Sequence, residues 1–130
     1  MPPGTGDIQL TLAQSFVVDG AIVVTTPQSV AFADMRRAVT LFRMMHVPVW
    51  GVVENMSYFV CPDTGKKHFI FGEGRTAAQA RELDLPLLAS LPLDPAVATA
   101  GDSGRPVTLA APDGEPARIY RALARAVVAR

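Results

Sequence analysis

Three short apolar runs constrain this chain most: Ala21-Ile22-Val23-Val24, Val49-Trp50-Gly51-Val52-Val53 and Leu87-Leu88-Ala89-Ser90-Leu91. Each is nearly continuous and does not alternate with polar residues, the pattern of strands covered on both faces, as in parallel sheets. A helix signal separates the first two runs. Thr26 suits the N-cap and Pro27 the first helical position. Ala31, Met35, Ala38, Phe42 and Met45 then recur on one helical face, with Asp34, Arg37 and Arg43 off it. Strand, helix and strand within roughly 30 residues make a βαβ crossover, right-handed by strong default. A second helix, Thr76 to Leu83, leads into the third run, which Pro92 ends. A last helix is expected from about Pro116, with Ile119, Ala122, Leu123, Ala126 and Val127 as its buried stripe. The expected class is α/β: a parallel sheet with flanking helices, in one domain over residues 1–130.

One stretch breaks the alternation. Tyr58-Phe59-Val60 and His68-Phe69-Ile70-Phe71 flank Cys61-Pro62-Asp63-Thr64-Gly65-Lys66-Lys67. Two short strands around Pro, Asp and Gly predict a β-hairpin insertion over about 58–71, and its aromatic residues call for a neighbour to pack on. At the start, Met1-Pro2-Pro3-Gly4-Thr5-Gly6-Asp7 is loop-like. Asp7 suits the cap of a helix from Ile8 to Phe16. Ala110-Ala111-Pro112-Asp113-Gly114 is expected to be a plain loop.

Composition narrows the function classes. Of the 130 residues, 49% are hydrophobic, enough to bury a core. Basic and acidic residues balance at 12 each, so no strong field draws nucleic acid or an anionic membrane. Arg118, Arg121, Arg125 and Arg130 cluster locally and read as a solvated helix face. No apolar run approaches the ~20 residues of a membrane span. Met1 is followed at once by Pro2-Pro3-Gly4, with no leader pattern. One cysteine, Cys61, rules out an intrachain disulfide. The expectation is a cytoplasmic protein.

Several residues could carry chemistry. Gly4 and Gly6 allow the backbone to approach a phosphate closely, with N–H groups aimed at it; an idle glycine-rich tail has the same composition. Asn55 closes the second buried run, and ligands of open α/β sheets sit beyond the carboxyl ends of strands. Its carboxamide can donate to and accept from an adenine edge, or satisfy its own turn. Pro92 and Asp94 follow the third run in the same way, and Asp94 equally suits a helix cap. His46 and His68 have no Cys or His at metal spacing, and Ser57 and Ser90 lie in no recognisable nucleophile elbow. No G-x-x-x-x-G-K-[ST] phosphate loop occurs in these residues.

Taken in order, Pro2 to Asp7, Thr26-Pro27-Gln28, Val52-Val53-Glu54-Asn55-Met56-Ser57, Phe71-Gly72-Glu73-Gly74 and Pro92-Leu93-Asp94-Pro95 resemble successive signatures of the Mrp/ApbC iron–sulfur carrier family. These are P-loop ATPases related to MinD and the nitrogenase iron protein. The resemblance covers essentially the whole chain. It implies the C-terminal portion of a Rossmann-like P-loop NTPase domain, with the phosphate loop and an acidic strand end lying upstream. It implies that Pro3, Gly4, Thr5, Gly6 and Asp7 form a switch-like loop sensing the γ-phosphate of Mg-ATP. It also implies that Asn55 contacts the adenine and that Pro92 and Asp94 lie against the base. Without the phosphate loop, hydrolysis by these residues alone is not expected.

The resemblance further implies a homodimer, client iron–sulfur apoproteins, and a [4Fe–4S] cluster bridging two Cys-Pro-x-Cys hairpins. Here the sequence departs, because Cys61-Pro62-Asp63-Thr64 has Thr64 in place of the second cysteine. A dimer would offer two thiolates rather than four. A single partly exposed thiol on a dimer-contact hairpin is therefore preferred over a Cys61-ligated cluster. Two readings from other classes stand beside the carrier: a non-catalytic dimerisation module, and a truncated reading frame.

Overall fold

The computed structural model describes residues 11, 12 and 14–129. Its centre is a parallel sheet of β1 (Ala21–Thr25), β2 (Val49–Glu54) and β5 (Leu87–Ser90), in the order β1-β2-β5. The three apolar runs are these three strands. Val23 lies opposite Val52, Val24 opposite Val53 and Thr25 opposite Glu54, which in turn lies opposite Ser90 on β5. Helix α1 (Ala31–Met44) connects β1 to β2, and α2 (Arg75–Glu82) leads into β5. Between β2 and α2, β3 (Phe59–Val60) and β4 (Lys67–His68) form an antiparallel hairpin. After β5 come α3 (Pro95–Asp102), α4 (Val107–Ala110) and α5 (Glu115–Val128).

Side chains alternate across a strand, and the core follows that alternation. Val23 and Val52 join Met35 and Val39 of α1, Ala80 of α2 and Leu85 in one buried cluster. Those two helices therefore cover one face of the sheet. The opposite face is closed over β2, where Val53 is 2% exposed, and open over β1, where Val24 is 63% exposed. A groove of about 530 Å³ follows this edge, bounded by β1 and by Ala31, Met35, Ala38 and Phe42.

The structure corrects several boundaries. Helix α1 starts at Ala31, later than the predicted Thr26 cap and Pro27 start. Pro27 is instead buried, and its carbonyl accepts from Arg75 Nη1 at 2.8 Å. The Thr26 hydroxyl points to Gln28 Oε1 at 3.4 Å, and a turn closed by Ala31 N–H donating to the Gln28 carbonyl precedes the helix. The buried face is also wider than the predicted stripe, since Val39 (1% exposed) and Leu41 belong to it.

The second hairpin strand is Lys67–His68 rather than His68 to Phe71. Phe69 begins a turn closed by Gly72 N–H donating to its carbonyl, and its ring meets Tyr58 at 6.1 Å. The expected loop at Ala110 lies at the end of a short helix, α4, that sequence reading missed. On α5 the fully buried residues are Pro116 and Ala117; Ile119, Leu123, Ala126 and Val127 are half-buried and Ala122 is exposed. Of the first predicted helix, Thr11, Leu12, Gln14 and Ser15 are helical, while Asp7 to Leu10 lie outside the described residues.

Candidate nucleotide-base site and thiol hairpin

The carboxyl ends of β2 and β5 are tied together by backbone hydrogen bonds. Leu91 N–H donates to the Glu54 carbonyl at 2.8 Å, Ser57 N–H to the Leu91 carbonyl at 2.9 Å, and Leu93 N–H to the Tyr58 carbonyl at 2.6 Å. A parallel bridge joins Phe59 to Leu93. On the other side, Asn55 N–H donates to the Thr25 carbonyl at 2.7 Å. The loop after the central strand is thus pinned to both neighbouring strand ends. Asn55 and the Pro92–Asp94 segment come to the same end of the sheet.

Asn55 is exposed at this end. Its Oδ1 accepts from Met56 N–H at 3.0 Å, and Met56 adopts a left-handed φ of 52°. The Nδ2 amide group makes no hydrogen bond to the described residues and can donate outward. Pro92 is buried. Asp94 is the N-cap of α3: its Oδ1 accepts from Ala96 N–H at 2.9 Å, with Pro95 beginning the helix. The cap role left open in the sequence is therefore filled, and any contact of this segment with a ligand falls mainly to its backbone. The groove beside β1 and a smaller cavity of about 260 Å³ are lined by other residues than Asn55, Pro92 and Asp94.

Sequence reading overlooked Glu54. It ends β2 only 7% exposed, and Ser57, 3% exposed, donates its hydroxyl to Glu54 Oε1. A buried carboxylate is costly unless hydrogen-bonded. The signal was present in the sequence, as an acidic residue at the end of an otherwise apolar strand.

The hairpin presents Cys61 half-buried. The Thr64 hydroxyl hydrogen-bonds to the thiol, and backbone groups of Thr64 and Asp63 add to it, holding the thiol below its usual range. Thr64 thus favours the thiolate form of Cys61. Among the described residues no group of three or more His, Cys, Asp or Glu side chains could hold a metal ion. These residues do not fit a cluster held by one copy alone. At the base of the hairpin, Lys67 Nζ sits 4.4 Å from the Tyr58 ring centre. Tyr58 donates to Glu115 Oε1 at 2.8 Å, and burial first, then Glu115, push its pKa up to about 12. Pro3, Gly4, Thr5, Gly6 and Asp7 lie outside the described residues.

A family profile described as "ParA: NUBPL iron-transfer P-loop NTPase" matches residues 1–128. The chain belongs to this NUBPL-type P-loop NTPase family. It is 49% identical over 125 residues to the iron–sulfur cluster carrier protein of Aquifex aeolicus, covering 96% of this chain and 34% of that protein. It is 42% identical over 130 residues to the iron–sulfur cluster transfer protein NUBPL of Mus musculus, covering all of this chain and 41% of that one. The chain therefore spans between a third and a half of these relatives' length. Among solved structures, a nucleotide-binding protein of Archaeoglobus fulgidus in complex with ADP superposes with a TM-score of 0.71 at 38% identity, over 81% of this chain and 43% of that one. The septum site-determining protein MinD of Pyrococcus horikoshii, complexed with Mg-ADP, gives 0.75 at 23% identity over 97% and 47% of the two chains, a likeness of fold. The α/β fold is thus that of MinD-like P-loop NTPases. No described helix is long and apolar enough to cross a membrane.

Proposed function

We propose that residues 1–130 form the carboxyl-terminal part of a single MinD-like ATPase domain in an iron–sulfur cluster carrier. In this reading they hold the adenine base of ATP and supply contacts to a second copy of the protein. The observation that supports it is that Asn55 and the Pro92–Asp94 segment lie at the same, carboxyl end of the parallel sheet, where open α/β sheets bind ligands. Asn55 offers an amide donor to the base, and the backbone of Pro92 to Asp94 lines its side. The phosphates and Mg²⁺ fall to the switch-like loop at Pro3 to Asp7 and to a phosphate loop that this sequence does not contain. Mg-ATP supplies the energy of the cycle when bound. The cluster is cargo for client apoproteins, carried between two copies.

A second reading, a dimerisation module without nucleotide turnover, draws support from two features. No phosphate-loop motif occurs in the chain, and Thr64 stands where a second thiolate would be. ADP binding separates the readings. The 130-residue chain is expected to release phosphate no faster than a buffer blank, yet to bind ADP weakly, and Asn55→Ala is expected to abolish that binding. ADP binding unaffected by Asn55→Ala would refute the base site.

A further inference from the structure

We infer that the buried Glu54–Ser57 hydrogen bond is a positioning device that sets where Asn55 presents its carboxamide; this rests on the base-site reading above. Glu54 and Ser57 are 7% and 3% exposed, so their hydrogen bond lies on the inner side of the turn. They bracket the two residues that turn the chain out of β2, and the hydroxyl–carboxylate bond closes that turn from inside. Backbone bonds pin both ends of the turn, and Met56 N–H donates to Asn55 Oδ1 in its middle. Asn55 is anchored to Thr25 and Ser57 to Leu91, but Met56 between them sits at a left-handed φ of 52°, a conformation that non-glycine residues adopt at a cost. Something must hold it there.

Packing does not supply all of that support. Behind the turn lies the cavity of about 260 Å³, lined by Glu54, Ser57, Tyr58, Lys67, Phe69 and Ser90 among others. With the bond removed, the turn has room to relax backward and Met56 to leave its left-handed conformation. A hydroxyl bonded to a carboxylate is among the stronger hydrogen bonds, and leaving that buried carboxylate unpaired is costly. The carboxylate at the end of an apolar strand therefore has a positioning role: it fixes the exit geometry of the strand that carries Asn55.

The test measures affinity for ADP and for GDP by ligand-observed NMR on the 130-residue chain and its variants. The wild-type chain is expected to prefer ADP. Ser57→Ala is expected to weaken ADP at least about fivefold and to erase the preference over GDP. Ser57→Thr, which restores the hydroxyl, is expected to recover both. Glu54→Gln, which keeps an acceptor but no charge, is expected to fall between. Amide exchange in Ser57→Ala should accelerate at Asn55 to Ser57 and stay unchanged at Val52 and Val53, separating a loosened turn from an unfolded chain. Wild-type ADP affinity and base preference in Ser57→Ala, with both lost in Asn55→Ala, would overturn the positioning role and leave the base site standing. Wild-type affinity in Asn55→Ala as well would overturn the base site and the inference together.

Discussion

Replacing Val24 with lysine tests whether the open edge at β1 is a surface built to be covered. Val24 is 63% exposed on a strand whose neighbours Val23 and Thr25 are each 6% exposed. Fully burying a valine contributes about 1.5–3 kcal/mol, so covering the exposed fraction would add about 1–2 kcal/mol at this one residue. The groove extends along Ala21, Ile22, Ala31, Ala38 and Phe42. If about 150 Å² of apolar surface there became covered, the gain would approach ~4 kcal/mol as an upper bound, a large share of the ~5–15 kcal/mol that holds a typical domain. An edge strand with this much apolar surface is a template for association. The wild-type chain should therefore associate and bind a hydrophobic dye. Val24→Lys should suppress both, because a charged edge residue blocks pairing. Its cost to folding should stay below about 1.5 kcal/mol, since only the smaller part of the side chain is buried. Light scattering during thermal unfolding, with dye titration, reads all of this. A monomeric wild-type chain that binds no dye and melts cooperatively above ~65 °C, or a loss above ~3 kcal/mol in Val24→Lys, would refute the reasoning.

Three further outcomes follow from single residues. Thr76 Oγ1 is buried without a hydrogen-bond partner among the described residues, so Thr76→Val should stabilise the chain by about 1 kcal/mol in denaturant unfolding; destabilisation would show that the hydroxyl is paired in solution. Tyr58 titrates near 12 when folded against an ordinary value of 10.0, so it keeps its proton longer in the folded chain. Its contribution to stability should be complete below about pH 10 and disappear as pH rises through about 12, a loss absent from Tyr58→Phe in alkaline unfolding curves. Anaerobic reconstitution should leave no [4Fe–4S] cluster on the chain after desalting, whereas Thr64→Cys should gain one, and a stoichiometric cluster lost in Cys61→Ser would contradict the thiolate count.

Much of this fold was legible because parallel strands declare themselves. Ala21 to Val24, Val49 to Val53 and Leu87 to Leu91 are apolar on both faces, and few other structures need that pattern. The gathering of strand ends was readable for the same reason, and the hairpin around Cys61 from its Pro, Asp and Gly turn residues. Local boundaries were not, because distant contacts set them. Pro27 looked like a helix start until Arg75, far along the chain, claimed its carbonyl. Helix α4, four residues long, carries too short a period to read. Met56 adopts its left-handed turn beside a carboxylate, and only the buried Ser57 hydroxyl reveals what Glu54 does there.

The base site is tested most directly by mapping ADP onto the chain residue by residue with two-dimensional amide NMR. Perturbations are expected to gather at Asn55 to Ser57 and at Leu91, Leu93 and Asp94, with little change at α5 or along β1, and to vanish in Asn55→Ala. Shifts spread over the groove beside β1, or persisting at full size in Asn55→Ala, would contradict an adenine site at the carboxyl end of this sheet.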